Sequence, residues 1–289
     1  MKPSAFEYVR PDTVDEAIDF LETYAGEARV LAGGQSLVPM LGMRLMRPAA
    51  VIDINRLTEE LGQIEARGSE TTIGALVRYT EAEGSPVIAE RLPLLRTAIR
   101  HIGDRQVRNR GTLGGAVAQA DPTGEVALVA LTLGATIVAR GPAGMRELPA
   151  AEFFVGSYAN ALDPQEMITA LRFGVVPARC GFFERGRKHN DFALLSLAVA
   201  ATPEPDGTWH DVRIGIGGMN QTPILARAAA ARLEGQAWDD ATLAEAAELA
   251  LEGIDPPADV RASAEYRTHL LPIHLRRLLR GMGEDSYDG

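Results

Sequence analysis

The chain has 289 residues, of which 46% are hydrophobic and 24% charged, a balance typical of a globular protein of about two domains. Its formal charge of −10 disfavours DNA or RNA as a partner, because a general nucleic-acid binder needs a basic surface. The N-terminus lacks the apolar core of a signal peptide, and the longest apolar run, residues 126–139, is too short to cross a bilayer. We therefore expect a soluble cytoplasmic protein with no membrane span.

The sequence predicts no metal site of its own. Cys180 is the single cysteine, which excludes an intrachain disulfide, and one thiolate cannot hold an iron–sulfur cluster that takes four ligands. The histidines are scattered, and on a helix His269 and His274 would point about 140° apart. Any redox chemistry in this chain therefore needs an organic cofactor.

The first segment reads as alternating helix and strand. Thr13 followed by Glu16 predicts a capping box at the start of an amphipathic helix. A short strand at 30–32 leads into a glycine turn, and Ser36 is expected to cap a helix that runs to about Leu45. Residues 51–54 predict a buried strand.

The second and third segments continue this mixture. In the second segment, about 58–175, we predict a strand at 71–74, helices at 78–83 and 93–101, and a glycine turn at 111–115 before the apolar run. The third segment opens with strands, and Ala- and Leu-rich helices follow near 240–251 and 261–280. The glycines at 215–218 are interpreted as marking close-packed strands in the C-terminal domain rather than as a phosphate loop.

Two glycine-rich turns are the best candidates for chemistry. Residues 32–37 follow a strand, and residues 111–116 form a second turn with a threonine hydroxyl. Glycines permit positive φ and let backbone N–H groups approach an anion. The two turns could together enclose a pyrophosphate from both sides. Neither matches a Walker A loop or the G-x-G-x-x-G pattern, which disfavours a nucleoside triphosphatase or a Rossmann dehydrogenase.

The chain resembles the medium, flavin-carrying subunit of the carbon monoxide dehydrogenase/xanthine dehydrogenase family of molybdenum hydroxylases. The stretches that support the resemblance occur in family order along the chain. They are residues 30–39, 51–55, 72–75, 102–115, 121–125 and 186–193.

The resemblance implies an α+β fold with two domains. Residues 1–176 would form a two-subdomain FAD-binding domain of the vanillyl-alcohol-oxidase (PCMH) type, divided at about 57/58. Residues 177–289 would form a C-terminal α+β domain of the CO dehydrogenase flavoprotein type. The implied cofactor is non-covalent FAD, with the molybdenum–pterin cofactor and [2Fe–2S] clusters on partner subunits only. The implied partners are a small iron–sulfur subunit and a large molybdenum subunit, in a heterohexamer with two copies of each chain.

Residue by residue, the resemblance implies an FAD site without catalytic side chains. The first turn would wrap the pyrophosphate, the second would close on it, and the remaining positions would contact the ribose or the flavin ring. The positions are Ala32, Gly33, Gly34, Gln35, Ser36, Leu37, Ile102, Thr112, Gly114, Gly115, Asp121, Glu125, Ile168 and Lys188.

Several of these positions have a purely structural alternative. Asp121 precedes a proline and can simply start a turn, and Glu125 can be an acid in the first turn of a helix. Ile102 and Ile168 can belong to the core. Asp53 lies in an apolar strand, where we expect a structural salt bridge rather than a cofactor contact.

An arginine run and one departure from the family pattern complete the sequence evidence. The five arginines at positions 96, 100, 105, 108 and 110 can form a solvated face, or can neutralise phosphate or dock an acidic iron–sulfur partner. Family members commonly carry Lys or Tyr just ahead of the Arg-x-x-x-Asp stretch, where this chain has Phe182, Phe183 and Glu184. An acid there would lower the flavin potential if it faced the ring.

Two other functions compete with an electron-transfer subunit. A stand-alone FAD-dependent reductase or oxidase on the same fold would need its own substrate site, and residues 180–289 present no obvious set of such side chains. A flavin-free structural subunit is disfavoured by the intact glycines of both turns.

Overall fold

Three large sheets, one two-stranded sheet and the helices packed against them make up the protein, as seen in a computed structural model that describes residues 2–188 and 190–283. The first sheet is parallel, and the other two large sheets are antiparallel. None of the helices among these residues combines the length and apolar character needed to cross a membrane.

The first sheet has the strand order β1-β3-β2, and its central strand is buried at every position. A strand buried on both faces is typical of the middle of a parallel sheet, and here only Asp53 at its end is polar. Its elements are β1 (Glu7–Val9), α1 (Val14–Thr23), β2 (Ala28–Leu31), α2 (Leu37–Gly42) and β3 (Ala50–Asp53).

The predicted capping box of α1 is only half right. The Thr13 hydroxyl accepts a hydrogen bond from the Glu16 N–H at 3.1 Å, as expected. The Glu16 carboxylate, however, accepts from the N–H of Asp12 at 2.7 Å rather than from Thr13. The apolar face of the helix is buried as predicted.

The start of α2 is as predicted, with Ser36 as the N-cap residue, but its cap lacks a side-chain bond and the helix ends three residues before Leu45. Ser36 makes no side-chain cap, since its own backbone already lies in the helical region (φ −102°, ψ −49°). The helix ends at Gly42, because Arg44 adopts a left-handed φ of 60°. The Leu45 N–H then bonds the Met40 carbonyl at 2.9 Å, and the Arg44 N–H bonds that of Leu41 at 3.0 Å, which together form a Schellman motif.

The second sheet has the order β4-β5-β10-β6-β7, and several helices pack against it. The long apolar run divides into a helix and a strand at Gly134, whose φ is +67°. The elements are α3 (Thr58–Leu61), β4 (Ile64–Arg67), β5 (Glu70–Gly74), α4 (Tyr79–Gly84), α5 (Pro86–Arg91), α6 (Pro93–Ile99), α7 (Arg105–Arg108), α8 (Leu113–Gln119), α9 (Glu125–Thr132), β6 (Thr136–Gly141), β7 (Gly144–Pro149), α10 (Ala150–Phe153), β8 (Phe154–Gly156), β9 (Ala159–Asn160) and β10 (Met167–Phe173).

The third sheet has the order β11-β12-β13-β14, with β15 paired to β13. Its elements are β11 (Arg179–Arg185), β12 (Leu195–Pro203), β13 (Thr208–Gly217), β14 (Ile224–Leu225), α11 (Arg227–Leu233), β15 (Gln236–Ala237), α12 (Asp240–Leu249) and α13 (Ala264–Gly283).

The glycines at 215–218 are a packing feature, as interpreted, but Gly215 and Gly217 make room for helix α9 rather than for a neighbouring strand. A Cβ on Gly215 would lie 2.9 Å from Leu128 of α9, and one on Gly217 would lie 3.3 Å from the same side chain. The bare backbone of β13 therefore lets α9 pack directly against the third sheet. The core is continuous across this contact, because Phe182 and Ala198 belong to the same cluster as the apolar residues of α6 and α9.

Candidate cofactor site

A cleft of about 690 Å³ lies between the first sheet and the second, within the ~300–1,000 Å³ usual for cofactor sites. Both predicted glycine turns line it. Of the predicted site residues, the structure brings together in this cleft Ala32, Gly33, Gly34, Gln35, Ser36, Leu37, Thr112, Gly114, Gly115 and Ile168.

The first turn presents free backbone donors to the cleft. Among the residues that the structure describes, no protein group accepts a hydrogen bond from the N–H groups of residues 33–37. Gly34 has a φ of +73°, a conformation that other residues rarely adopt. A run of unpaired N–H groups around such a position forms a concavity that suits an anion.

The second turn differs from the prediction, because most of its backbone donors already have partners within the protein. The N–H groups of Leu113 and Gly114 bond the carbonyls of Val77 and Ala75 at 3.0 Å, and that of Gly115 bonds the Thr112 hydroxyl at 3.2 Å. Thr112 thus caps α8. What this turn offers the cleft is small residues and the hydrogen of the Thr112 hydroxyl, rather than a row of bare N–H groups.

The two glycines of the second turn have different neighbours. A Cβ on Gly114 would lie 2.7 Å from the Cα of Ala75, so this glycine lets α8 pack on the second sheet. A Cβ on Gly115 would meet only the Thr112 hydroxyl at 2.7 Å and Ala32 at 4.0 Å. Gly115 therefore faces the first turn.

The two turns also touch each other. A Cβ on Gly33 would lie 2.8 Å from the Cα of Gly111 and would overlap the carbonyl oxygen of Arg110. Carbon atoms normally approach to about 3.5–4.0 Å, so only glycine permits this contact. The cleft is closed at this point by backbone on both sides.

Four predicted site residues lie outside the cleft wall. Ile102 is 8% exposed and sits in the core of the second sheet. Asp121 lines a second cavity of about 370 Å³ and accepts bonds from the N–H and hydroxyl of Thr123, as a turn residue does. Lys188 is exposed on the loop after β11. Glu125 begins α9. A cofactor contact for these four stays a prediction.

Glu125 and Glu184 form an interacting pair of mostly buried carboxyl groups. Burial, and next the charge of Glu184, raise the pKa of Glu125 to about 8. Burial also raises the pKa of Glu184 to about 7, against the effect of a 3.2 Å hydrogen bond from the Ser196 hydroxyl. Phe183, beside Glu184, stacks on His274 with ring centroids 4.2 Å apart.

Behind the first turn lies a polar cluster that sequence reasoning missed. Asp53 is hydrogen-bonded rather than ion-paired: its carboxylate accepts from the Tyr8 hydroxyl and from both the backbone N–H (3.0 Å) and side-chain amide (2.6 Å) of Asn55. Burial raises the pKa of Asp53, but these bonds outweigh it and leave the pKa below its usual value. The expected salt bridge is therefore wrong. Asn55 in turn contacts Arg78.

The arginine run divides into two groups. Arg96, Arg100 and Arg108 all contact Glu83, the first through its carbonyl and the other two through its carboxylate. These three therefore stabilise local structure. Arg105 and Arg110 are exposed and remain candidates for a docking surface.

The described residues contain no group of three His, Cys, Asp or Glu side chains arranged to hold a metal ion. The residues that are present fit a different ligand. The first turn supplies unpaired N–H donors for a pyrophosphate. The two turns that line the cleft touch at Gly33 and Gly111, because neither residue has a Cβ to keep them apart. A cleft of about 690 Å³ has room for a dinucleotide.

Comparison with known proteins shows which class this site belongs to. Residues 4–175 match the FAD binding domain in molybdopterin dehydrogenase, and residues 182–282 match the CO dehydrogenase flavoprotein C-terminal domain. The fold and the cleft therefore define an FAD-binding subunit of an oxidoreductase, and the mixed α and β fold class is confirmed.

Whole-chain similarity narrows this class. The 6-hydroxypseudooxynicotine dehydrogenase complex subunit alpha of Paenarthrobacter nicotinovorans is 35% identical, covering 96% of this chain and 95% of the relative. The carbon monoxide dehydrogenase medium chain of Hydrogenophaga pseudoflava is 34% identical, covering 96% and 97%. A solved structure of carbon monoxide dehydrogenase from Hydrogenophaga pseudoflava matches with a TM-score of 0.94 at 36% identity, covering 98% of both chains. The chain belongs to the FAD-binding medium subunits of the CO dehydrogenase/xanthine dehydrogenase family of molybdenum hydroxylases.

Proposed function

We propose that this chain is the electron-transfer subunit of a molybdenum hydroxylase complex. Electrons removed from a substrate at a molybdenum centre on a large partner would pass through two [2Fe–2S] clusters on a small partner to this chain, and leave to an external acceptor. Bound FAD supplies the electron carrier, while the protein holds it, tunes it and shields it. The observation that supports this most is the match of residues 4–175 to a molybdopterin-dehydrogenase FAD domain, joined to a cleft with free backbone donors.

The division of cofactors between chains follows from ligand chemistry. One cysteine cannot hold a cluster, so the iron–sulfur centres must be on another chain. Relatives named as medium chains or complex subunits support a partnership with a small and a large chain, which we propose assemble as two copies of each.

The site residues proposed for FAD are those of the two turns and of the cleft wall. The first turn would donate N–H groups to the pyrophosphate, and the second would close over it through Gly115 and the Thr112 hydroxyl. Cys180 and His101 do not line the cleft, and burial raises the pKa of Cys180 to about 11. Both observations favour a non-covalent cofactor, since a protonated thiol is a poor nucleophile.

The test is an anaerobic comparison of the isolated chain with the assembled complex. The isolated chain should be yellow, with about one FAD, and should stay oxidised when offered aldehydes, purines or N-heterocycles. Adding the iron–sulfur and molybdenum chains should allow the substrate of the complex to bleach the flavin. Bleaching of the lone chain by such a substrate would instead favour a stand-alone flavoenzyme.

A docking role for the arginine run now rests on Arg105 and Arg110 alone. Charge reversal at both should weaken assembly with the iron–sulfur chain, and more at low salt, because screening already reduces the attraction at high salt. Arg108 is unsuitable for this test, since its contact with Glu83 makes it structural. Unchanged assembly would leave the two exposed arginines as a solvated surface.

A further inference from the structure

The contact between the two glycine turns needs to be held at a fixed distance. The turns come from different parts of the chain, and at Gly33 and Gly111 only backbone separates them. A separation between them would change the shape of the cleft where both turns meet. The side chains that tie one turn to the other are therefore candidates for positioning residues.

Asn55 holds the first turn. Its side-chain N–H₂ group donates to the Ala32 carbonyl at 2.8 Å and to the Asp53 carboxylate at 2.6 Å, which occupies both donors. Its side-chain oxygen remains, and it accepts a hydrogen bond from Arg78 at 2.5 Å. Asp53, already fixed by the Tyr8 hydroxyl, keeps the amide in this orientation.

Arg78 holds the second turn. One guanidinium N–H₂ group bonds Asn55, and the other donates to the carbonyl of Arg110, the residue just before Gly111. The backbone of Arg78 forms a bridge with Thr112 as well. A planar guanidinium with donors in a rigid fork can join two acceptors at a set distance, which a lysine cannot do as well.

The charge of Arg78 is only partly compensated. Both hydrogen-bond acceptors of its side chain are neutral, and the described residues include no ion pair with Arg78. Burial, and then the nearby Arg110, lower the pKa of Arg78, although Glu81 and Asp53 oppose this. A half-buried cation without an ion-pair partner, behind two turns that face a cleft, favours an anion in that cleft.

We propose that Arg78, oriented by Asn55, is a positioning residue for FAD: it sets the spacing of the two glycine turns and supplies a positive charge behind them for the pyrophosphate. This inference rests on the proposed function, in that FAD occupies the cleft with its pyrophosphate at the turns. Arg78 and Asn55 need not touch the cofactor.

The test measures FAD affinity of the full-length chain after its flavin is removed, by fluorescence titration at several salt concentrations. Arg78→Gln should weaken FAD binding roughly 10- to 100-fold, the range expected for losing a charged hydrogen bond. It should also flatten the salt dependence of the dissociation constant. Arg78→Lys should restore the salt dependence but only part of the affinity, because the charge returns and the fork does not. Asn55→Ala should weaken binding while keeping the salt dependence.

Arg91→Gln is the matched control. Arg91 also joins backbone carbonyls, those of Gly68 at 2.8 Å and Glu70 at 3.5 Å, but it lies outside the cleft wall. It should leave FAD affinity unchanged, even if the unfolding midpoint falls as much as in the Arg78 variants.

The outcomes separate this inference from the proposed site. If Gly34→Val abolishes FAD binding but Arg78→Gln stays within twofold of the unmodified chain, the positioning role is wrong and the cleft assignment stands. If the FAD dissociation constants of Arg78→Gln and Arg78→Lys depend equally on salt, the charge of Arg78 does not contribute to binding. If Gly34→Val binds FAD normally, the pyrophosphate is not at this turn and the proposed site itself fails. If Arg78→Gln does not fold, the Arg78→Lys and Asn55→Ala variants are titrated instead. If both bind FAD within twofold of the unmodified chain, the positioning role is wrong.

Discussion

The interacting carboxyl groups of Glu125 and Glu184 should make the stability of the protein fall as the pH rises. A carboxyl group whose pKa is raised in the folded state holds its proton there after the unfolded chain has lost it. In that pH range the folded state binds more protons, so the free energy of unfolding decreases by about 1.4 kcal/mol per pH unit for each such proton. For Glu125 the range extends from its usual value of 4.5 to about 8.

Glu125→Gln removes the part of this dependence that comes from Glu125, since glutamine has nearly the same shape and does not ionise, while the part from Glu184 remains in both proteins. Between pH 5.5 and pH 7.5 the variant should gain about 3 kcal/mol relative to the unmodified chain, from two pH units at about 1.4 kcal/mol each. Urea unfolding of the flavin-depleted chain at pH 5.5, 6.5 and 7.5, followed by circular dichroism, measures this difference. The exposed Glu152 of α10 provides the control, and Glu152→Gln should run parallel to the unmodified chain. A constant difference between Glu125→Gln and the unmodified chain would show that Glu125 ionises normally in the fold.

Three further predictions concern the cofactor and the C-terminal part. Gly34→Val and Gly115→Val should each abolish FAD retention on gel filtration, while the far-UV circular dichroism spectrum stays similar. Gly34 has a φ of +73°, and a Cβ on Gly115 would lie 2.7 Å from the Thr112 hydroxyl that caps α8. Retained flavin in either variant would contradict the assignment of that turn to the FAD site. Acid precipitation should release all flavin into the supernatant, and colour in the pellet would mean a covalent bond. Arg267→Leu should lower the free energy of unfolding by about 1–3 kcal/mol, since Arg267 is 2% exposed and its loss takes the donor away from the buried carbonyls of Leu194 and Gly218. Arg280→Leu on the same helix removes an exposed ion pair, should change the free energy of unfolding by less than about 1 kcal/mol, and serves as the control.

The sequence predicts well those features that depend on local pattern. The buried strand at 51–54, the amphipathic α1 and both glycine turns lie where the apolar periodicity and the glycines indicate. The family resemblance adds correct predictions of the fold class and of the cofactor, both of which the comparisons confirm.

Features that depend on distant partners could not be predicted. The end of α2 is set by a left-handed arginine, Arg44, where the sequence offers no glycine as a signal. Two backbone donors of the second turn, the N–H groups of Leu113 and Gly114, bond carbonyls almost 40 residues earlier in the chain. Arg78 meets Asn55 and the Arg110 carbonyl across 23 and 32 residues. Neither periodicity nor a short motif reports such contacts.

The position of α9 between two sheets has a consequence for how this protein can be divided. Seven of the eight residues of α9 are buried. Gly215 lets α9 pack directly on β13, because any side chain at this position would clash with Leu128 and Thr132. A fragment ending near residue 176 would leave Leu128 and Thr132 facing water, and should aggregate instead of binding flavin as a free module. Chimeras between medium subunits should accordingly succeed when α9 and β13 come from the same parent. The helix and the strand on which it packs therefore form one structural unit, although 75 residues lie between the end of α9 and the start of β13.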